Sequence, residues 1–267
     1  MKKLWILGDS TSVDYRENEE NGLQSWAHFF KELLNDNIEC KNVAVGGTTL
    51  KWFFLSPKYQ SGETNINNPN DSRWTNIVSQ VQNGDYFIIF TGGINDQGQH
   101  RFDAYYPDEN GDYIKVVSDT DKDVFVKAEK GKGTHRFFTA RSTTDEFADI
   151  LTQMIEQIKL KGAFPLLIRG TANYFCRNNN DMDVFPDSRE YINRLPEVAK
   201  KTSVYYLDAG SIFEEDFKLL GYKEMLKRNF AKNDICHHNK NGAKKICDII
   251  TNLIKESDFS LKNYLKS

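Results

Sequence analysis

Cysteine is scarce and scattered: the four thiols, Cys40, Cys176, Cys236 and Cys247, form no CxxC pair. That argues against a disulfide framework and a ribbon-type zinc site, and reduced thiols are expected. An excess of one charge is lacking too. Lys and Arg number 35 against 38 Asp and Glu, a formal net charge of -3 with both signs interspersed, so neither nucleic acid nor an anionic membrane surface is an expected partner. No apolar run is long enough to cross a bilayer. Only a few apolar residues separate Lys2 and Lys3 from Gly8 and Asp9, far fewer than a signal-peptide core needs, and a soluble, cytoplasmic chain is the expectation. Repeats, linkers and low-complexity tracts are missing as well, so residues 1–267 are expected to form one domain with a sizeable core.

What is present is an alternation of strand and helix patterns. Strands are expected at Lys2 to Leu7, Ile38 to Val45, Tyr86 to Thr91, Pro165 to Arg169 and Val204 to Asp208. Amphipathic stretches lie between or after them at Ser25 to Leu34, Trp74 to Val81, Thr144 to Lys161, Asp187 to Lys201 and Gly242 to Lys255. In the third of these, Phe147, Ile150, Leu151, Met154, Ile155 and Ile158 recur at the spacing of one helical face. Thr143 and Glu146 form a capping-box pair before it, and Gly162 stands where a helix commonly stops. Such alternation predicts a three-layer α/β/α fold with a flavodoxin-like, five-stranded parallel sheet. Two segments break the alternation, at about 53–71 and 99–141, and both follow strand carboxyl ends. The second carries Asn110-Gly111 and Gly131 to Gly133 between β-prone runs, which predicts one or more hairpins.

The chemistry starts at ILGDST, where an apolar strand stops at Gly8 and displays Ser10 at the sheet edge that binds ligands in open α/β folds. Ser10 is either a nucleophile or the cap of the following helix. A nucleophilic serine needs a base, and the base works best with an acid to orient it. In NDICHHNKNGA, Asp234 precedes His237 by three residues, near enough in a tight turn to reach the imidazole. His238 is the neighbouring alternative. Cys236, His237, His238 and Cys247 match no common zinc-ligand spacing, so no metal and no cofactor are expected. Oxyanion donors could come from the glycine pair of NVAVGGTTL and from the Asn95 amide of TGGINDQG.

GDST, NVAVGG, GGINDQG and HHNKNGA, in this order, resemble the sequence blocks of the SGNH (GDSL-type) hydrolases, and of their rhamnogalacturonan acetylesterase-like branch in particular. TTDEFADIL to GAFPLLIRG is similar to that branch's helix and fourth strand. The resemblance implies Ser10 as nucleophile, His237 as general base and then acid, and Asp234 as its orienting carboxylate. It also implies an oxyanion hole of the Ser10 N–H, the Gly47 N–H and the Asn95 side chain, with Gly46 the alternative to Gly47. Asp9 and Asp96 are expected to tie loops together beside the site. The implied activity is an esterase that removes acetyl or other short acyl groups from a small acetylated carbohydrate. The alternatives are a short-chain lipid or thioester hydrolase, or a carbohydrate-binding protein without catalysis. Aromatic residues of the two extra segments, Trp52, Phe53 and Tyr105 among them, are candidates for stacking on sugar rings.

Overall fold

A computed structural model describes residues 1–15, 22–55, 73–96, 104–107, 113–119, 122–127, 142–172, 174–178, 181–184, 186–232, 234 and 236–266. Five parallel strands form the central sheet: β1 (Lys2–Leu7), β2 (Ile38–Asn42), β3 (Tyr86–Thr91), β7 (Phe164–Arg169) and β10 (Tyr205–Asp208). Their spatial order is β10-β7-β3-β1-β2, the doubly wound arrangement in which the chain starts in the middle and builds outward both ways. The middle strand β3 is buried along its whole length. Its alternate residues feed two cores: Tyr86, Ile88 and Phe90 point to one face, Phe87 and Ile89 to the other.

On the first face pack α1 (Trp26–Glu32), α6 (Ala209–Leu220), α7 (Tyr222–Asn229) and α8 (Lys240–Glu256). On the second pack α2 (Leu50–Leu55), α3 (Arg73–Gln80), α4 (Thr144–Leu160) and α5 (Pro186–Thr202). The α4 stripe predicted from spacing is the buried one, and its start is the capping box, Thr143 and Glu146 each binding the other's N–H. Gly162 follows that helix with φ +72°, a left-handed turn glycine adopts without strain. Strand β2 ends as a regular strand at Asn42, short of Val45, because the Asn42 side chain binds the Ala44 N–H and the Ser12 carbonyl. Its ladder to β1 still continues, Val45 N–H meeting the Gly8 carbonyl at 3.2 Å.

The sequence pattern did not register α2, α6 and α7. Within the long second segment, β4 (Ala104–Pro107), β5 (Tyr113–Asp119) and β6 (Lys122–Lys127) make an antiparallel sheet of the predicted hairpin type. A further antiparallel pair, β8 (Tyr174–Asn178) and β9 (Asp181–Val184), was not anticipated. Most of the 53–71 segment lies outside the described residues. Among the described residues no helix is long and apolar enough to cross a membrane.

Candidate active site

The first turn after β1 is built from its own side chains. Asp9 Oδ1 accepts the Thr11 N–H at 2.9 Å and the Thr11 hydroxyl at 2.7 Å, while Ser12 N–H returns to the Asp9 carbonyl at 3.0 Å. A Cβ on Gly8 would sit 2.5 Å from Ser12 Oγ, so only glycine lets the chain turn this tightly. Ser12 is fixed in turn by the Trp26 indole N–H at 3.0 Å. Ser10 is therefore held at the end of β1, and among the described residues it caps no helix: the next helix there begins at Trp26 with Ser25 at its N-cap position.

The chain between α7 and α8 brings the base to it. Asn239 organises this segment, its Oδ1 accepting the N–H groups of Asn241 and Gly242 at the start of α8, its Nδ2 donating to the Arg228 and Phe230 carbonyls. Gly242 packs so closely on α7 that a Cβ would lie 2.0 Å from the Asn229 carbonyl oxygen. Within the loop, Asp234 Oδ1 accepts from the Cys236 N–H at 2.7 Å and the His237 N–H at 2.9 Å. This turn of the backbone is what makes a separation of three residues a contact between side chains.

His237 Nδ1 lies 2.8 Å from Asp234 Oδ2, and His237 Nε2 lies 2.8 Å from Ser10 Oγ. With Asp234 as an acceptor, the ring proton belongs on Nδ1, and Nε2 is left to accept the serine hydroxyl. Burial alone would raise the Asp234 pKa, but hydrogen bonds from the His237 ring, the His237 N–H and the Cys236 N–H outweigh it and hold the carboxyl below the usual range. The Asp234 hydrogen bond raises the His237 pKa against the opposing effect of burial. The arrangement is a hydroxyl, a base and an orienting anion in line, all half-buried, which is competent to generate a serine nucleophile.

The candidate donors for a developing oxyanion lie in the next two loops. Because β2 continues to pair with β1 up to Val45, the glycine doublet is delivered beside Ser10; a Cβ on Gly46 would be 3.6 Å from Ser10 Cβ. Gly47 has φ +71°, a conformation that favours glycine. Asn95 Nδ2 donates one hydrogen to the Thr48 carbonyl at 3.0 Å, which orients the amide and leaves its second hydrogen for another acceptor. Asp96 Oδ1 accepts the Leu50 N–H at 3.0 Å, so the two loops are tied twice. Thr48 was not anticipated, since it contributes a backbone carbonyl and carries no side-chain signal. Asn239 was legible in principle as an N-cap before α8.

His238 sits apart from this chemistry. It is 1% exposed, it packs against the Phe213 and Phe230 rings at centroid distances of 5.4 and 5.0 Å, and neither ring nitrogen has a hydrogen-bond partner among the described residues. Burial, reinforced by the neighbouring His237, pushes its pKa down to about 3. Another histidine, His28, has an acid partner in Asp14 at 2.9 Å, whereas His100 and His135 lie outside the described residues.

One expectation needs correction. Phe53 is 1% exposed and packs in the second core, so its ring is not available to a sugar. It sits one helical turn from Leu50 on the inward face of α2, where burial of the ring dominates. Trp52 falls on α2 and Tyr105 on β4, with their side chains outside what the structure describes.

The model of the GDSL-like lipase/acylhydrolase family matches residues 6–245. A probable rhamnogalacturonan acetylesterase, YesY of Bacillus subtilis (strain 168), is 22% identical over 256 residues, covering 95% of this chain and 92% of its own. Among solved structures, the YXIM protein of Bacillus subtilis superposes with a TM-score of 0.65 at 18% identity and covers 97% of this chain, which spans only 57% of that one. Axe2, an acetylxylan esterase from Geobacillus stearothermophilus, superposes with a TM-score of 0.52 at 16% identity, covering 100% of this chain and 97% of its own.

Proposed function

Because this chain belongs to the GDSL-like lipase/acylhydrolase family and is a carboxylic ester hydrolase, we propose that it removes O-acetyl and other short acyl groups from acetylated oligosaccharides through an acyl-serine intermediate. The observation that carries the mechanism is the continuous relay from Asp234 through His237 to Ser10, with both contacts at 2.8 Å. Ser10 Oγ attacks the acyl carbon as its proton passes to His237 Nε2. The resulting imidazolium is stabilised by the Asp234 carboxylate, which stays ionised. The carbonyl oxygen becomes negative and is met by the Ser10 N–H, the Gly47 N–H and the free hydrogen of the Asn95 amide. His237 then gives its proton to the departing sugar hydroxyl, the acyl-serine forms, and a water activated by the same imidazole releases acetate.

The substrate class is supported by the relatives named as acetylesterases, YesY and Axe2. The test is acetate release from p-nitrophenyl acetate and a panel of acetylated xylo- and pectic oligosaccharides, beside p-nitrophenyl butyrate and octanoate, for wild type and Ser10→Ala. Turnover on short acyl esters, highest on an acetylated sugar and abolished in the variant, is expected. A preference for octanoate would shift the reading to lipids, and tight sugar binding without turnover would shift it to a binding protein.

A further inference from the structure

The two backbone donors proposed for the oxyanion belong to different segments, the Ser10 N–H to the turn after β1 and the Gly47 N–H to the loop after β2. They act together when both are aimed at one point, about 2.7–3.1 Å from the oxygen that becomes charged. The Asn42 side chain reaches both segments. Asn42 is the last residue of β2 and lies opposite Ile6 of β1 in the sheet. Its Nδ2 donates to the Ser12 carbonyl at 2.8 Å, and its Oδ1 accepts the Ala44 N–H at 3.0 Å. Both halves of the amide are engaged, one with the nucleophile turn and one with the approach to the glycine doublet.

The contact with Ser12 continues to the nucleophile. Ser12 is fully buried, its hydroxyl oxygen accepts the Trp26 indole N–H at 3.0 Å, and its own N–H donates to the Asp9 carbonyl at 3.0 Å. That carbonyl belongs to the same peptide group as the Ser10 N–H. A trans peptide is planar and points its C=O and N–H in opposite directions, so fixing the Asp9 carbonyl aims the Ser10 N–H. On the side of the glycine loop, the Val43 and Val45 N–H groups donate to the Ile6 and Gly8 carbonyls at 2.8 and 3.2 Å, while the Ala44 N–H between them goes to Asn42. Three successive N–H groups leading to Gly46 are thereby anchored. We propose that Asn42 is a positioning residue for the oxyanion hole, setting the separation and direction of the Ser10 and Gly47 donors by holding both segments with one amide. The task needs a donor and an acceptor on one short side chain. Aspartate keeps the acceptor and loses the donor, and alanine loses both. A misplacement of about 1 Å in such a site costs up to about a hundredfold in rate.

This role rests on the serine-esterase reading, and the test separates the two. For wild type, Asn42→Ala, Asn42→Asp and Trp26→Phe, kcat and KM on p-nitrophenyl acetate are measured across pH, beside urea unfolding. The affinity for trifluoroacetone is measured as well, since its adduct with a serine places an oxyanion among the donors. Asn42→Asp has nearly the shape of the original and keeps the Ala44 acceptor, so it reports loss of the Ser12 contact even where Asn42→Ala fails to fold. Trp26→Phe removes the side-chain bond to Ser12 and leaves its backbone bonds, so it reports loosening of the turn by itself. Both Asn42 variants are expected to lose about 10- to 100-fold in kcat with KM changed by less than about twofold. Trifluoroacetone binding weakens by the factor by which kcat/KM falls. In Asn42→Ala the acid limb of the kcat profile, set by His237, stays at the wild-type pH. Trp26→Phe loses stability but keeps kcat within about threefold of wild type. Wild-type kcat in a folded Asn42 variant, a loss confined to KM, a displaced acid limb in Asn42→Ala, or an equal kcat loss in Trp26→Phe overturns the proposal alone. Absence of turnover by wild type on any ester overturns the esterase reading and the positioning role with it.

Discussion

Replacing His238 by leucine is expected to make the protein more resistant to acid. The ring is buried between Phe213 and Phe230, with no hydrogen-bond partner for either nitrogen among the described residues. Its pKa is pushed down to about 3 from 6.5, a value the ring regains when the chain unfolds. The sign follows from proton counting. Above about pH 7 both states hold a neutral ring and pH has no leverage. Below it the unfolded chain takes up a proton that the native protein refuses, so stability falls as the pH drops from 6.5 towards 3. At pH 5 the unfolded state has gained about 1.5 pK units of protonation free energy, about 2 kcal/mol, and the full loss below pH 3 is about 5 kcal/mol. The figure at pH 5 is nearly independent of how far below 4 the native pKa lies. Leucine has a similar volume and leaves no unpaired nitrogen, so at pH 7.5 the variant matches or exceeds wild type. Urea unfolding of both proteins at pH 7.5 and pH 5 gives the comparison, with the leucine advantage growing by about 2 kcal/mol at the lower pH. An advantage equal at the two pH values would refute the reasoning, because it would mean that the native ring takes up its proton as freely as the unfolded one.

Two further substitutions probe the chemistry and the scaffold. Asn95→Ala removes the amide that Thr48 orients; turnover on p-nitrophenyl acetate should fall by roughly 100- to 1,000-fold with little change in the unfolding midpoint. Arg169, at the end of β7 with a side chain only 5% exposed, pairs with Asp208 at 3.0 Å and with Glu214; Arg169→Met leaves the largely buried Glu214 without this cation, while Asp208 keeps its Ser211 hydrogen bonds, and should lower stability by about 3 kcal/mol in urea melts.

Most of the sheet was legible because strands such as β1 and β7 are short, mainly apolar runs closed by turn residues, and the β3 segment YFIIFT, apolar up to Thr91, reads as a strand covered on both faces. Helix α6 was not, because it starts directly after β10 without a loop: Asp208 ends the strand and caps the helix by accepting the Ser211 N–H. Helix α2 has six residues, too few to show a period. Between β8 and β9 the sequence is rich in Asn and has no glycine, so the usual turn cue was missing. Asp234, His237, Ser10 and Asn95 could be picked out because their chemistry resides in side chains at recognisable spacing. Phe53 misled for a complementary reason: an aromatic beside an extra segment looks like a ligand platform until its helical partner Leu50 shows which way the ring turns. Between His237 and His238 the three-residue spacing from Asp234 favours His237, and the packing agrees: His237 meets Asp234 and Ser10, while His238 is buried between two phenylalanine rings.

The hydrogen bond between His237 and Ser10 closes a loop of 227 residues, and this gives the site a history. During synthesis the sheet can begin to assemble from its first three strands while Ser10 already stands at the edge of β1. At ribosomal rates of about 5–20 residues per second, the proposed nucleophile waits on the order of 10–50 s for its proposed base to be made. Throughout that interval the nascent chain carries Ser10 without its His237 partner. Helix α8, capped by Asn239 and docked against α1 in the same core, is therefore the element whose arrival fixes the proposed base beside Ser10.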